Sequence, residues 1–172
     1  DIFEELIKKS DKPWKLAWYY GWGVYDSVHK DNKEMMEWKT TQMARFDALK
    51  ALGRAEGGNM IPHTEIAKKY LEAGVFLYPT EFYEIHCISA LKAQVAGCRV
   101  ITSDFAALNE TVRAGVTIHT DGKRWGKDNT FGDMENRDKY VDAIINGVPK
   151  EGAVITQNVD WSNISKQWME NL

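Results

Sequence analysis

Short apolar segments alternate with amphipathic ones along most of the chain, and this alternation limits the possible folds more than any other feature. Residues 75–78 are the clearest case, because a continuous apolar run is typical of a parallel strand that is covered on both faces. Segments with the apolar spacing of helices lie on either side of it. The sequence therefore predicts an α/β fold with an open, mostly parallel sheet flanked by helices, whose ligands bind at the carboxyl ends of the strands.

The apolar patterns also give approximate bounds for the individual elements. We expect strands at residues 14–20, 59–61, 75–78, 99–102 and 116–119. We expect helices at residues 34–52, 85–96, 136–145 and 161–172, a short first helix that Ser10 and Pro13 stop, a helix that Thr64 caps, and a helical turn at residues 108–113. Gly21 and Gly23 predict a tight turn, and residues 26–33 and 120–138 are expected to be loops.

Composition and charge exclude several classes of function. The 22 basic side chains are outnumbered by 25 acidic ones, so the chain has no excess of positive charge for a nucleic-acid backbone. The two cysteines, Cys87 and Cys98, belong to no pair or cluster with zinc-ligand spacing, which favours a reduced setting without a metal. The apolar runs are too short for a transmembrane segment or a signal peptide. We therefore expect a cytoplasmic protein that neither binds nucleic acid nor spans a membrane.

The 172 residues have the size of one domain, and no repeat, low-complexity tract or linker divides them. The chain starts at Asp1 and enters an amphipathic helix almost at once, which suggests a piece of a longer protein. Trp161 and Trp168 lie seven residues apart on one face of the last predicted helix and are expected to pack in the core. We therefore predict a single domain over residues 1–172, taken from a longer chain.

The strongest pattern for function lies in residues 79–112, which continue the strand at 75–78 with a loop, a helix, a tight turn, a strand, a loop and a helix. Glu84 stands in the loop directly before the first of these helices, where unpaired backbone N–H groups can hold an anion. A phosphate can bind at such a helix start while Glu84 accepts a sugar hydroxyl. Periodicity alone leaves open the alternative that Glu84 or Glu81 only caps the helix.

The motifs of this segment follow each other in a specific order. They are the strand at 75–78, Pro79-Thr80, Glu84, the helix residues 90–93 (ALKA), the turn at 96–98, the strand at 99–102 and Glu110. This order resembles the nucleotide-sugar-binding half of retaining GT-B glycosyltransferases, particularly glycosyltransferase family 4. That family has a strand, Pro-Ser, a Glu-Gly-Phe-Gly loop, a helix with Leu-Glu-Ala, a glycine turn, a strand and Pro-Glu. The resemblance implies a Rossmann-like sheet that forms one half of a GT-B fold.

The resemblance also implies an activity, which is the transfer of a hexose from a nucleoside diphosphate sugar to an acceptor with retention of configuration. It makes Glu84 the catalytic residue that contacts the transferred sugar. Donor contacts are implied for Gly21, Trp22, Pro62, His63, Glu81, Ile85, His86, Cys87, Ile88 and Lys92. Among these, Pro62 and His63 are expected near the base, and the backbone around His86 near the diphosphate. The nucleotide sugar is a substrate, and neither a cofactor nor a metal is implied, since no Asp-x-Asp motif occurs.

The resemblance further implies an acceptor-binding domain that precedes the donor-binding domain, and that domain is expected to be missing from these residues. The first strand of the family's donor-binding domain, with the basic loop that belongs to it, is expected to be missing as well. We therefore expect this part of the chain to supply one wall of a site between domains, and to be inactive alone.

Two departures from the family pattern leave other functions open. The second glutamate of the family pair, which is expected to contact the ribose, is replaced by Lys92, and a lysine accepts no hydrogen bond but can meet a phosphate. Ile85 and Cys87 replace loop glycines. The alternatives are a non-catalytic nucleotide-binding or interaction module of the same fold, and an unrelated α/β domain in which Glu84 only caps a helix. Structural roles, in a turn or at a helix start, stay open for Gly21, His63 and His86.

Overall fold

The structure of the protein is a computed structural model that describes residues 1–120, 134–147 and 161–170. It shows an α/β fold with two small parallel sheets flanked by helices. Contacts between residues divide the chain into two compact units, unit 1 at Asp1–Glu72 and unit 2 at Ala73–Leu172. Each unit contains one of the two sheets.

Unit 1 combines a two-stranded sheet with helices. Its elements are α1 (Ile2–Lys9), β1 (Leu16–Trp18), α2 (Gly23–His29), α3 (Lys33–Ala51), β2 (Ala55–Gly57) and α4 (His63–Glu72). The strands are parallel, with Leu16 opposite Ala55 and Trp18 opposite Gly57. The core consists of Phe46, Leu49 and Ala55, against which Phe3, Ile7, Leu16 and Trp18 pack.

Unit 2 contains a three-stranded parallel sheet with the order β3-β4-β5. Its elements are β3 (Val75–Tyr78), α5 (Ile88–Val95), β4 (Arg99–Ser103), α6 (Leu108–Thr111), β5 (Gly115–Ile118), α7 (Met134–Asn146) and α8 (Trp161–Glu170). The central strand β4 is buried from Val100 to Ser103, and both α5 and α7 contact it. Because the strands are parallel, their carboxyl ends lie at one edge of the sheet, which we call the carboxyl edge.

A fully buried glutamine in α5 fixes this helix against the rest of unit 2. The Gln94 Nε2 group donates hydrogen bonds to the carbonyls of Ala90 and Thr111, at 3.1 and 2.9 Å. Its Oε1 atom accepts from the N–H groups of Arg113 and Ala114, both at 2.9 Å. The amide therefore uses its two donors and both acceptor sites inside the protein. These bonds tie α5 to the segment that leads into β5.

Several predicted elements are confirmed. The strand β3 has the predicted bounds, and α1 ends directly before Ser10. The helix α3 lies within one residue of the predicted bounds at both ends, and β4 and β5 lie within one residue of theirs. Parallel pairing is also confirmed, although the sequence predicts one open sheet and the described strands form two.

The predictions for the glycine segments of unit 1 are wrong in part. The second strand lies at Ala55–Gly57 instead of residues 59–61, because Gly57 and Gly58 have left-handed φ angles of 95° and 105° and turn the chain out of the sheet. The predicted first strand shortens to three residues, since β2 offers only three partners. Gly21 and Gly23 have no left-handed φ. The chain does turn at Trp22, between these two glycines, and Gly23 then begins α2, which replaces part of the predicted loop 26–33.

Two predicted helix starts are also wrong. The helix α4 begins at His63, so Thr64 lies inside it and does not cap it, and the Pro62 carbonyl accepts the first backbone hydrogen bonds. The helix α5 begins at Ile88 instead of residue 85, and hydrogen bonds within residues 80–84 fix the first part of the loop that precedes it.

Some predictions lie outside the described residues. These are most of the loop at 120–138, the last two residues of the helix at 161–172, and the packing of Trp161 and Trp168. The single domain over residues 1–172 stays a prediction. Within residues 1–120, 134–147 and 161–170, no helix has the length and apolar character that a membrane crossing requires.

Candidate functional site

Two loops lie at the carboxyl edge of unit 2, and the end of β4 is bonded to one of them. The first, called the Glu84 loop, comprises residues 79–87 between β3 and α5. The second, called the Asp104 loop, comprises residues 104–107 between β4 and α6. At the base of both, the buried Ser103 hydroxyl donates a hydrogen bond to the Thr80 carbonyl. The end of β4 therefore holds the beginning of the Glu84 loop.

Glu84 is held in place by a tyrosine at the end of β3. The Tyr78 hydroxyl donates a hydrogen bond to Glu84 Oε1 at 2.6 Å. Burial, together with this bond to a carboxylate, raises the pKa of Tyr78 above its ordinary value, so the hydroxyl stays a donor. The loop itself is tight, since the Phe82 N–H donates to the Thr80 hydroxyl at 3.0 Å and the Glu84 N–H to the Phe82 carbonyl at 2.8 Å. The carboxylate is thus oriented and keeps acceptor sites for a ligand hydroxyl.

Glu81 faces the interior of unit 2. Its Oε2 atom is buried and has no hydrogen-bond partner. Burial raises the pKa of Tyr140, a buried residue of α7, and the negative charges of Asp104 and Glu81 add to this effect. None of the described hydrogen bonds joins Glu81 or Glu84 to the first turn of α5. In the described residues, neither glutamate therefore makes a hydrogen-bonded cap of α5.

The residues directly before α5 have different environments. Cys87 is buried, and burial raises the pKa of its thiol, with the Glu84 charge acting in the same direction and the Ala90 N–H against it. The thiol is therefore protonated at neutral pH and is a weak nucleophile. His86 is exposed, and its Nδ1 atom lies 3.4 Å from the Thr111 hydroxyl on α6. That contact makes His86 a link between the Glu84 loop and α6 and not a cap of α5.

The remaining predicted donor residues of unit 2 are exposed. Ile85 is 94% exposed and Ile88 is 59% exposed, so these positions offer a polar ligand only their backbone groups. Lys92 is also exposed, one helical turn into α5, and none of the described hydrogen bonds or ion pairs connects it with Glu84. The position of the second family glutamate is thus occupied by a cation on the open face of the helix.

An aspartate–histidine pair lies at the same edge, and the sequence analysis missed it. His119 Nδ1 lies 2.6 Å from Asp104 Oδ2, and the Thr120 N–H donates to Asp104 Oδ1 at 3.0 Å. The Asn109 side chain donates to the Asp104 carbonyl at 2.5 Å. The His119 side chain is 78% exposed, while that of Asp104 is 23% exposed. An imidazole oriented by a carboxylate can accept or donate a proton at Nε2.

Strand register is the signal that could have found this pair. Ser103, the last residue of β4, lies opposite Ile118, the last residue of β5. The next residues in each chain segment are Asp104 and His119, which therefore leave the sheet side by side. The sequence predicts both strands but not their register, so it does not bring the two side chains together.

The other four predicted donor residues lie in unit 1, in the loops that follow β1 and β2. Gly21 lies against Met60, because a side chain at position 21 would contact the Met60 sulfur at 3.4 Å. Pro62 and His63 follow Met60 after one intervening residue and are exposed at the start of α4. These loops therefore meet at the carboxyl ends of the unit 1 strands.

Trp22 is the centre of an aromatic cluster in unit 1. Its ring meets four others at ring-centroid distances of 4.9–6.3 Å, those of Trp18, Tyr20, Tyr25 and Trp38. The Lys39 ammonium lies 5.2 Å from the Trp22 ring centroid. The indole Nε1 of Trp22 is buried without a hydrogen-bond partner. Most of the ring surface is thus used for packing, which gives Trp22 a structural role in this unit.

The structure thus brings Glu84 and Tyr78 together in unit 2 and places the unit 1 residues in a separate set of loops. In the described part of the chain, no group of three or more His, Cys, Asp or Glu residues could hold a metal ion. Compared with protein-family models, curated proteins and solved structures, the chain matches none of them. A proposal of function therefore has to come from the chemistry of the site.

Proposed function

We propose that this chain is the donor-binding part of a glycosyltransferase that moves a hexose from a nucleoside diphosphate sugar to an acceptor with retention of configuration. The observation that supports it is the Glu84 carboxylate, which Tyr78 fixes at the carboxyl end of β3, in the loop that leads to α5. This is the edge of an α/β sheet at which ligands bind.

The proposed roles follow from the chemistry of the groups. Glu84 accepts hydrogen bonds from hydroxyls of the transferred sugar, because an ionised carboxylate is an acceptor only. The backbone of residues 86–88 faces the diphosphate at the positive end of the α5 dipole. As the diphosphate leaves, its charge grows, and N–H groups already oriented there stabilise it. The resemblance assigns the base to Pro62 and His63, and that assignment stays a prediction.

Titration calorimetry tests the proposal. The chain is titrated with UDP, GDP, ADP, their glucose or mannose conjugates and a nucleoside monophosphate, and one diphosphate is expected to bind selectively. Glu84→Gln should lower the affinity for the sugar conjugate about tenfold, because hydrogen bonds to a charged acceptor are lost, and leave the affinity for the bare diphosphate unchanged. Glu65→Gln removes the same charge from an exposed site in α4 and should change neither affinity. Absence of binding by all diphosphates at millimolar concentration contradicts the proposal.

A non-catalytic module of the same fold is the second candidate, and the exposed cation Lys92 is the observation that favours it. If the missing ribose contact is what separates this chain from an active enzyme, Lys92→Glu should raise the affinity for the diphosphate. Lys68→Glu makes the same charge change on α4 and controls for charge alone. An unchanged affinity in Lys92→Glu would show that the lost glutamate does not account for a loss of function.

A further inference from the structure

The Glu84 loop presents an aromatic ring that is supported and yet open to ligands. The Tyr83 side chain is 72% exposed, although large aromatic groups are normally covered. Its ring meets the ring of Phe105, from the Asp104 loop, at a centroid distance of 4.7 Å and an angle of 66°. This edge-to-face contact holds the Tyr83 ring and leaves most of its surface uncovered.

The backbone around this ring pair is also fixed. The Ala107 N–H donates a hydrogen bond to the Glu84 carbonyl at 3.3 Å, which joins the two loops one residue beyond Tyr83. Ala106 has a left-handed φ of 51°, a conformation that costs energy for a residue with a side chain. Such strain persists only where the surrounding contacts fix the conformation of the loop. The ring is therefore presented in a defined position, on the residue directly before Glu84, whose carboxylate Tyr78 orients.

We propose that Tyr83, supported by Phe105, is the surface on which the sugar ring of the donor stacks, and that it sets the preference for a hexose; this rests on the proposed function. One face of a hexopyranose consists mainly of C–H groups, which pack on the negative face of an aromatic ring. Its hydroxyls point outwards from the rim of the ring. An aromatic face and a carboxylate acceptor on consecutive residues of one loop match both parts of that structure.

The neighbouring carboxylate favours a sugar over other occupants of an apolar surface. Glu84 has one described hydrogen-bond donor, the Tyr78 hydroxyl, and a carboxylate can accept about four hydrogen bonds. An apolar protein side chain or a lipid tail would leave these acceptor sites unpaired. Hydroxyl groups satisfy them.

The test separates the contribution of the sugar to the binding affinity from that of the nucleotide. Wild-type chain and variants are titrated with three pairs of ligands, each a sugar conjugate and its bare diphosphate: UDP-glucose and UDP, GDP-mannose and GDP, and ADP-glucose and ADP. The affinities of the pair that binds are then compared. Tyr83→Ala should weaken binding of the sugar conjugate about tenfold and leave that of the bare diphosphate unchanged, because one aromatic contact is lost. Tyr83→Phe keeps the ring and should stay within about twofold of wild type.

Two further variants show whether the ring pair matters as a unit. Phe105→Ala removes only the support and should weaken sugar binding less than Tyr83→Ala does. Phe82→Ala removes a 67% exposed ring from the same loop, for which no ring contact is described, and should have no effect. Circular dichroism checks that each variant is folded. In wild-type chain, the bound sugar C–H protons should also shift upfield in the NMR spectrum because of the ring current, independently of any variant.

The outcomes separate this inference from the proposed function. If no diphosphate and no conjugate bind to wild-type chain, both are overturned. If they bind and Tyr83→Ala leaves the sugar contribution unchanged, only the stacking role is overturned. If Tyr83→Ala weakens binding of the diphosphate and of the conjugate equally, the ring contacts the base instead, and the stacking role is overturned. An effect of Phe82→Ala equal to that of Tyr83→Ala would overturn it as well.

Discussion

Gln94 connects three parts of unit 2 through one buried side chain, and its environment allows no apolar replacement. Gln94→Met keeps the approximate volume, but it removes four hydrogen bonds and takes away the acceptor of the buried Ala114 N–H. We expect the free energy of unfolding to fall by about 2–4 kcal/mol, because four hydrogen bonds of a buried side chain are lost together. Urea denaturation measures the change. Gln42→Met, at a partly exposed position with one described side-chain bond, should cost less than about 1 kcal/mol. A similar loss in both variants would contradict this account.

Glu56 gives unit 1 a pH dependence with a defined sign. Hydrogen bonds from Lys15 and Lys69, at 2.6 and 2.9 Å, together with one from Tyr19, lower the pKa of Glu56 to about 2. Because the pKa in the folded state lies below the ordinary value of 4.5, the stabilisation is fully present above that value. It is lost as the pH falls towards 2. The side chain is 30% exposed, so solvent screening keeps the effect small.

Glu56→Gln should therefore reduce stability at pH 7 and have a smaller effect at pH 2.5, where much of the stabilisation is already lost. Urea midpoints at the two pH values measure this difference. Glu34→Gln, at an exposed position of α3, controls for the removal of one carboxylate. An effect of Glu56→Gln that is equal at both pH values would show that the ion pairs do not contribute.

At the residue level, the sequence could predict that Glu84 lies in a loop between a strand and a helix, although that helix begins at Ile88 instead of residue 85. It could not predict that Tyr78 orients the carboxylate, since that contact depends on the path of the loop. It also does not distinguish Glu84 from Glu81, whose carboxylate faces the interior. Side-chain direction in a loop is determined by tertiary contacts, which a periodic pattern does not contain.

At the level of elements, predictions succeed where one segment carries its own signal. The strand β3 is apolar at every position and the helix α3 has helical spacing over five turns, so both are found from the sequence. The strand β2 has three residues, one of them glycine, and exists because β1 lies beside it. Its position therefore depends on pairing and on the turn that follows, and the apolar pattern of residues 59–61 is misleading.

Two glycines of unit 1 make a matched pair for testing that turn. Gly57 has a φ of 95°, and a side chain there would clash with the Trp18 carbonyl across the sheet. Gly57→Ala should destabilise unit 1 by at least about 1–2 kcal/mol, because the left-handed conformation alone costs that much. At Gly23, the first residue of α2, a side chain would meet nothing within 4 Å. Gly23→Ala should be neutral or stabilise by up to about 1 kcal/mol, since alanine favours a helix. Thermal unfolding of both variants measures the two changes in stability. Equal changes would contradict the conclusion that Gly57 is required by its left-handed φ and by its contact with Trp18.

At the level of the whole molecule, the two units have separate cores. The core of unit 1 is centred on Phe46 of α3, and that of unit 2 on the buried strand β4 with Ile101. The candidate residues are divided in the same way, with Glu84 and the Asp104–His119 pair in unit 2. The sequence shows no linker between the units, since residues 72–75 contain no proline or run of polar residues. The division follows from which side chains pack together, and composition does not reveal it.

Separate cores predict that a cavity in one unit leaves the other unit folded. Phe46→Ala should lower the local free energy of opening in unit 1 by about 3–5 kcal/mol, the usual cost of removing a buried aromatic ring. Amide hydrogen exchange measured by NMR should then show faster exchange in β1 and α3, while the amides of β4 keep their protection. Ile101→Ala, the reciprocal variant, should lower protection in unit 2 by about 2–5 kcal/mol and spare α3. If Phe46→Ala instead lowers the protection of β4 as much as that of β1, the two units unfold as one, and the Glu84 loop depends on the stability of both.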